Sequence, residues 1–225
     1  MPRTAVLLSG GLDSAVLLAR ELEGPDGGDS KIAQGATQPI HVRAGLAWED
    51  AEARTIARLL AHPRFAGRVA PVITLTMDMR DVYPQTHWAV TGTPPAYDTP
   101  DEDVYLEGRN IVLISKAAVL CARLKIERLV LGPLAGNPFP DATPQFFDAM
   151  SRAMSLGLGR PLDVVAPLAS MHKEDVIRLG RSLGVPLELT LSCMNPTLVG
   201  DNDQPCGQCS KCRERDRAFS NLSDG

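Results

Sequence analysis

Six residues near the start of the chain, Ser9-Gly10-Gly11-Leu12-Asp13-Ser14, combine two adjacent glycines, two hydroxyls and a carboxylate. Glycine reaches backbone angles closed to other residues, so successive N–H groups around Gly10 and Gly11 can point inward as a nest for an anion. The hydroxyls of Ser9 and Ser14 can add hydrogen bonds. Asp13 is misplaced against a bare phosphate and makes sense if it orients a metal or an amine. A simpler reading is a tight turn with Asp13 or Ser14 capping a helix. A cap needs only one of these residues, and the whole set SGGLDS favours phosphate. The loop is not a Walker loop, because no Gly-Lys-Ser/Thr follows, nor a dinucleotide fingerprint with three spaced glycines.

A second cluster lies near the other end, in LSCMNPTLVGDNDQPCGQCSKCRERDRAF. Cys206, Cys209 and Cys212 form two overlapping Cys-x-x-Cys pairs, with Cys193 upstream. Four thiolates suit tetrahedral zinc, and Cys-x-x-Cys lets two sulfurs reach one ion from a single turn. An iron–sulfur cluster or plain reduced thiols are the alternatives. Filled by four cysteines, the metal would have no open position for substrate, so its role would be to staple the tail to the sheet. Cys121, inside the apolar run ISKAAVLCARL, reads as a core residue.

The elements that must position these groups are read from periodicity. Apolar, β-branched runs at Thr4–Leu8, Pro39–Ala44, Val72–Met77, Arg128–Leu131 and Val164–Leu168 read as buried parallel strands. Helical spacing occupies Asp13–Leu22, Glu49–Ala61, Asn110–Leu124, Pro144–Leu156 and His172–Leu183. Strands alternating with helices predict an α/β fold with a doubly wound parallel sheet. SGGLDS is then a strand-to-helix turn, where the helix adds its positive N-terminal end to the anion nest. Residues 24–38, rich in glycine and polar side chains, read as a surface loop. Residues 79–109 are irregular and carry an aromatic and proline cluster. Ligands in such sheets bind outside the carboxyl ends of the strands, where SGGLDS and this long loop should meet. We expect an α/β nucleotide-binding domain over 1–185 and a zinc-binding segment over 186–225.

At 225 residues the chain suits one α/β domain with a small appendage. Its net charge of −4 argues against a general nucleic-acid surface. It has no apolar run long enough to span a bilayer and opens on a strand with no signal-peptide pattern, which predicts a cytoplasmic protein with no membrane partner. Five cysteines then read as thiols or ligands rather than disulfides. The four histidines are scattered without metal spacing, and no Ser-His-Asp arrangement stands out.

SGGLDS resembles the signature loop of the PP-loop ATP pyrophosphatase superfamily, whose members bind ATP there and usually cleave between the α- and β-phosphates to adenylate a substrate. With EGRN (Glu107–Asn110), FPD (Phe139–Asp141), PLASMHKEDVIRLG and CGQCSKCRER in one order, nearly the whole chain resembles the 7-cyano-7-deazaguanine synthase family, also called QueC or ExsB. The resemblance implies a Rossmann-like fold of the adenine nucleotide alpha hydrolase type and a queuosine-pathway ligase. Such a ligase turns a deazapurine carboxylate and ammonia into an amide and then a nitrile, with ATP, magnesium and structural zinc, commonly as a homodimer. Ser9, Gly10, Gly11, Leu12, Asp13, Ser14 and Asn110 would bind the nucleotide. Asp13, Arg109 and Lys173 would do the catalytic work, and the four tail cysteines would hold the metal. Taken singly, Arg109 could be a helix-start surface residue, Asn110 an N-cap and Lys173 a solvated charge.

Two segments depart from the family pattern. RAGLAWED (43–50) replaces a Tyr-Gly-Gln-Arg-His segment after strand two, and LAGNP (134–138) replaces an Asp-Tyr-Ser-Gly segment before FPD. Both fall where substrate would be read, so the resemblance supports the adenylating half of the reaction further than the deazaguanine substrate. A relative acting on another acid, a PP-loop tRNA thiolase and a nucleotide-binding protein without turnover are the alternatives.

Overall fold

Buried apolar runs separated by helices pair side by side here. In a computed structural model describing residues 3–24 and 37–222, β1 (Thr4–Leu7), β2 (Thr37–Arg43), β3 (Ile73–Thr76), β4 (Arg128–Val130) and β5 (Asp163–Val165) form one parallel sheet in the order β3-β2-β1-β4-β5. The register places Val6 opposite Pro39 on one side and Val130 on the other. The chain reverses its direction of growth between β1 and β4, which makes the carboxyl end of β1 the topological switch point, the usual ligand crevice of such a sheet.

The helices are α1 (Leu12–Glu23), α2 (Glu49–Ala61), the short α3 (Trp88–Thr91), α4 (Arg109–Leu124), α5 (Pro144–Leu158), α6 (Lys173–Ser182) and α7 (Ser210–Ser220). The sheet is wound on both faces. Val6 and Val130 pack with α1, α2 and α6, whereas Ala5, Ile40 and Leu129 pack with α4 and α5. Successive strand residues point to opposite faces, and the middle of the sheet is covered on both, so neighbours such as Ala5 and Val6 or Leu129 and Val130 are all buried, whereas the edge strand β3 exposes Thr74 and Thr76. Every expected strand and helix is present, with ends displaced by no more than three residues. The surface loop expected at 24–38 lies outside the described residues over 25–36, and Thr37 and Gln38 belong to β2. Pro39 therefore sits inside a central strand, where it cannot donate to the ladder. The Gln38 side chain spans the site, donating to the carbonyls of Pro39 at 2.9 Å and Pro71 at 2.8 Å.

A third apolar cluster stands beyond the carboxyl ends of the strands. It joins Leu46 and Trp48 after β2, Met79 and Tyr83 after β3, Val104 and Leu106 before α4, and Cys193, Met194, Cys209 and Cys212 of the tail. The irregular 79–109 segment and the cysteine tail thus form one roof. The tail adds an antiparallel hairpin, β6 (Thr197–Val199) with β7 (Asn202–Gln204), and then α7. Arg54 and Arg58 of α2 dock the hairpin through Asp203, whose carboxylate is buried. Arg54 approaches to 2.6 Å and Arg58 to 3.4 Å. No helix among the described residues is long and apolar enough to cross a membrane.

Candidate active site

Beneath the roof lies a cavity of about 340 Å³ at the ends of β1, β2 and β4. Ser9, Gly11, Asp13, Ser14, Arg109, Asn110 and Lys173 line it; Gly10 and Leu12 support the loop from behind. Gly10 holds φ at +78°, and a Cβ there would come within 3.0 Å of Thr55 Cγ2 on α2. Both facts require glycine. Leu12 is fully buried in the core, anchoring the start of α1.

The loop is held by its own serines and by the tail. The Gly11 N–H donates to Ser9 Oγ at 3.3 Å, and the Ser14 hydroxyl donates to the Gly11 carbonyl at 3.0 Å. The Leu191 N–H donates to the Gly10 carbonyl at 3.1 Å, while the Ser192 hydroxyl accepts from the Leu12 N–H at 3.5 Å. Gly11 is the N-cap of α1 and no side chain caps it. Asp13 turns instead to Lys173, the first residue of α6, whose Nζ lies 2.9 Å from Oδ1 and 2.7 Å from Oδ2.

Lys173 is not a solvated charge: its side chain is 13% exposed. Burial pushes its pKa down, but the charges of Asp13 and then Glu214 outweigh burial and hold it above the usual lysine range. Glu214, on α7, faces Lys173 at 2.9 Å and Lys211 at 2.9 Å. Burial alone would raise the Glu214 pKa; the two lysines bring it down to about 2.

Arg109 opens α4 and lines the cavity, with its buried Nε unpartnered. Asn110 is not a cap, since Gly108 holds that position. Its backbone N–H donates to Asp141 Oδ2 at 3.0 Å and its side-chain amide to the Asp141 carbonyl at 2.9 Å, tying α4 to FPD. Burial raises the pKa of Asp141 against the pull of the Asn110 N–H.

The departing segments contribute walls. In RAGLAWED the Glu49 carboxylate accepts from the backbone N–H groups of Ala44 and Gly45, fixing a turn that presents Trp48. Trp48 stacks on Trp88, with centroids 5.8 Å apart, and both line the cavity. Tyr105 stacks on Phe139 at 4.9 Å, and this pair lines it too. From LAGNP, Asn137 faces the cavity and its side chain fixes the Phe139 N–H at 2.9 Å. Glu214 and Lys211 carry no signal in the sequence: Lys211 stands between Cys209 and Cys212 and Glu214 just after them, on a helix without an apolar stripe. Sequence reasoning also missed the pair His41–Glu52 at 3.2 Å, whose members lie eleven residues apart on β2 and α2. The Glu52 spacing from Trp48, one helical turn along α2, was the available signal.

The four tail cysteines converge, with their sulfurs all within 4.8 Å of one another. The N–H groups of Asn195 and Cys206 donate to Cys193 Sγ at 3.4 and 3.3 Å, and that of Gln208 to Cys206 Sγ at 3.4 Å. Such donors stabilise thiolates, so the donor set and its surroundings fit a thiophilic ion. Cys121 is remote from this group, and burial pushes its thiol up to about 12.

The family model described as "Queuosine biosynthesis protein QueC" matches residues 80–223. The chain belongs to the QueC family. It is 32% identical to the 7-cyano-7-deazaguanine synthase of Methanopyrus kandleri, an alignment covering 97% of this chain and 94% of that protein. The synthase of Methanothrix thermoacetophila is 33% identical over the same shares of the two chains, and that of Nostoc punctiforme 30% identical over 98% and 96%. The QueC match takes in the roof from residue 80 onward, Arg109, Asn110, Lys173 and all four tail cysteines; the SGGLDS loop falls within the full-length similarity.

Proposed function

We propose that the chain uses ATP to activate the carboxylate of 7-carboxy-7-deazaguanine and converts it with ammonia to the amide and then to the nitrile, 7-cyano-7-deazaguanine. The observation that carries this reading is the SGGLDS loop at the switch point with Lys173 beside it, in a chain similar over its length to synthases of that name. The serine hydroxyls now accepting from the Gly11 and Leu12 N–H groups occupy the side from which phosphate oxygens would approach. The helix α1 points its positive end the same way.

The chemistry asks the protein chiefly for positioning and for neutralising charge. The substrate carboxylate attacks the α-phosphorus and pyrophosphate leaves. Ammonia then displaces AMP, giving the amide and a proton. In a second round the amide oxygen is adenylated and departs with AMP as the nitrile forms and the nitrogen loses its remaining protons. Lys173 and Arg109 meet the negative charge that develops on the phosphates. Asp13, each of whose oxygens keeps a free lone pair beside Lys173, would hold a magnesium ion bound with the nucleotide, and the ion would supply further neutralisation of phosphate charge. The aromatic pairs Trp48–Trp88 and Tyr105–Phe139 suit a flat heterocycle, with Asp141 and Asn137 supplying polar edges. Zinc held by Cys193, Cys206, Cys209 and Cys212 would supply a structural crosslink, with no coordination position left open for substrate.

The nucleotide product tests the reading. Incubation with ATP, ammonium and the deazapurine acid should release AMP and pyrophosphate in step with amide or nitrile. ADP and phosphate would contradict it. The altered 43–50 and 134–138 segments favour one second reading, a relative that performs the same activation on another flat acid. It predicts ATP binding without turnover of the deazapurine.

A further inference from the structure

A row of alternating charges runs from the phosphate loop into the tail helix: Asp13, Lys173, Glu214, Lys211. Lys173 Nζ lies 2.7 Å from Asp13 Oδ2 and 2.9 Å from Glu214 Oε1, and Lys211 Nζ lies 2.9 Å from Glu214 Oε2. Glu214 thus gives one oxygen to each of two lysines that come from different helices, α6 and α7. All four side chains line the cavity. Resting on the ATP reading above, we infer that Glu214 is a positioning residue that fixes the ammonium groups of Lys173 and Lys211 as a paired clamp for the nucleotide's phosphates.

Each ammonium has three N–H donors: Lys211 gives one to Glu214 and keeps two for a ligand, while the three of Lys173 meet both Asp13 oxygens and one Glu214 oxygen, so a phosphate oxygen would replace one of its bonds to Asp13 while Glu214 holds it in place. A free lysine has many rotamers, and a site that has already ordered two of them loses less on binding. Removing the Glu214 charge would raise the local positive potential, which by itself favours an anion. Two opposing effects are larger here. The two cations, which now share one carboxylate, would repel each other, and Lys211, the more exposed at 37%, would turn to water and leave the phosphates. Lys173 would stay on Asp13 alone.

The test is titration of the full-length protein with ATP and, separately, with inorganic pyrophosphate, read by calorimetry and by tryptophan fluorescence. The chain's two tryptophans, Trp48 and Trp88, both line the cavity, so the fluorescence reports on this site. Glu214→Gln should weaken both ligands about tenfold or more, the scale of losing a charge-assisted hydrogen bond. Lys211→Met should weaken them similarly, and the double variant should be no weaker than Glu214→Gln alone, because the clamp is already lost. Glu214→Asp should recover part of the affinity. Unchanged or tighter binding by Glu214→Gln, or losses that add in the double variant, would overturn the inference. Should Glu214→Gln fail to fold, Lys211→Met decides alone, and unchanged affinity there is the contrary result. A wild-type protein that binds neither ligand would remove the phosphate reading itself and this inference with it; wild-type binding with unaffected variants would remove only the inference.

Discussion

Lys173 is the residue on which the site turns. It starts a helix, which in sequence makes it look like a solvated first-turn charge, yet it stands between two carboxylates from α1 and α7. Its position gives Asp13 a partner within the SGGLDS loop: the carboxylate fixes an ammonium at the cavity wall. Lys173→Met should lower the rate of AMP release by about 10²–10³, the usual effect of removing one preorganised group that meets developing charge. The protein should remain folded, because the helix keeps its packing through Val176 and Ile177. A rate within a few-fold of wild type in a quenched-flow assay would show that Lys173 is not in the reaction path. The loop residues are legible in sequence because glycine pairs and hydroxyls are rare together. The partners Glu214 and Lys211 are not, since nothing in a sequence marks that Glu214 meets Lys173 from a different helix and that Lys173 meets Asp13 across 160 positions of chain.

The strands and long helices are legible because each buries a face with its own period, two for a strand and 3.6 for a helix. Where the period fails, so does the reading. The hairpin of β6 and β7 exposes Leu198 and Val199 and buries little but Asp203, so its three-residue strands carry no alternation. The SKCRERDRAFS of α7 is almost wholly polar and forms its helix from Cys209 onward because the cysteine cluster and α6 hold it. Docking of the hairpin depends on Asp203, whose pKa is lowered first by the Arg54 hydrogen bonds against the cost of burial, with Arg54 and Arg58 charges adding to the effect. A carboxyl with a depressed folded pKa contributes stability above its unfolded pKa of about 4 and loses it as the pH falls through the folded value. Asp203→Asn should therefore lower the melting temperature by a few degrees at pH 7, on the order of 1 kcal/mol because the arginines are partly in water. The gap from wild type should close in melts run progressively below pH 4. A gap that persists there would assign the loss to packing instead of charge.

At the scale of the molecule, the roof and the sheet meet at one cavity, and the tail is part of both. The sequence reads the cysteine segment as a staple; the fold makes it a wall of the site, because Leu191 and Ser192 bind the SGGLDS loop and α7 brings Glu214 to Lys173. Zinc at the four cysteines predicts about one ion per chain by metal analysis. Cys209→Ser should release it and weaken ATP binding along with stability; iron with sulfide, or no metal, would refute that assignment. The central claim is the reaction. Its most direct measurement is mass spectrometry of the product formed from 7-carboxy-7-deazaguanine, ATP and ammonium by the purified full-length protein. The nitrile, preceded by the amide, is expected; the unchanged acid, with ATP bound to the protein and uncleaved, would overturn the proposed reaction.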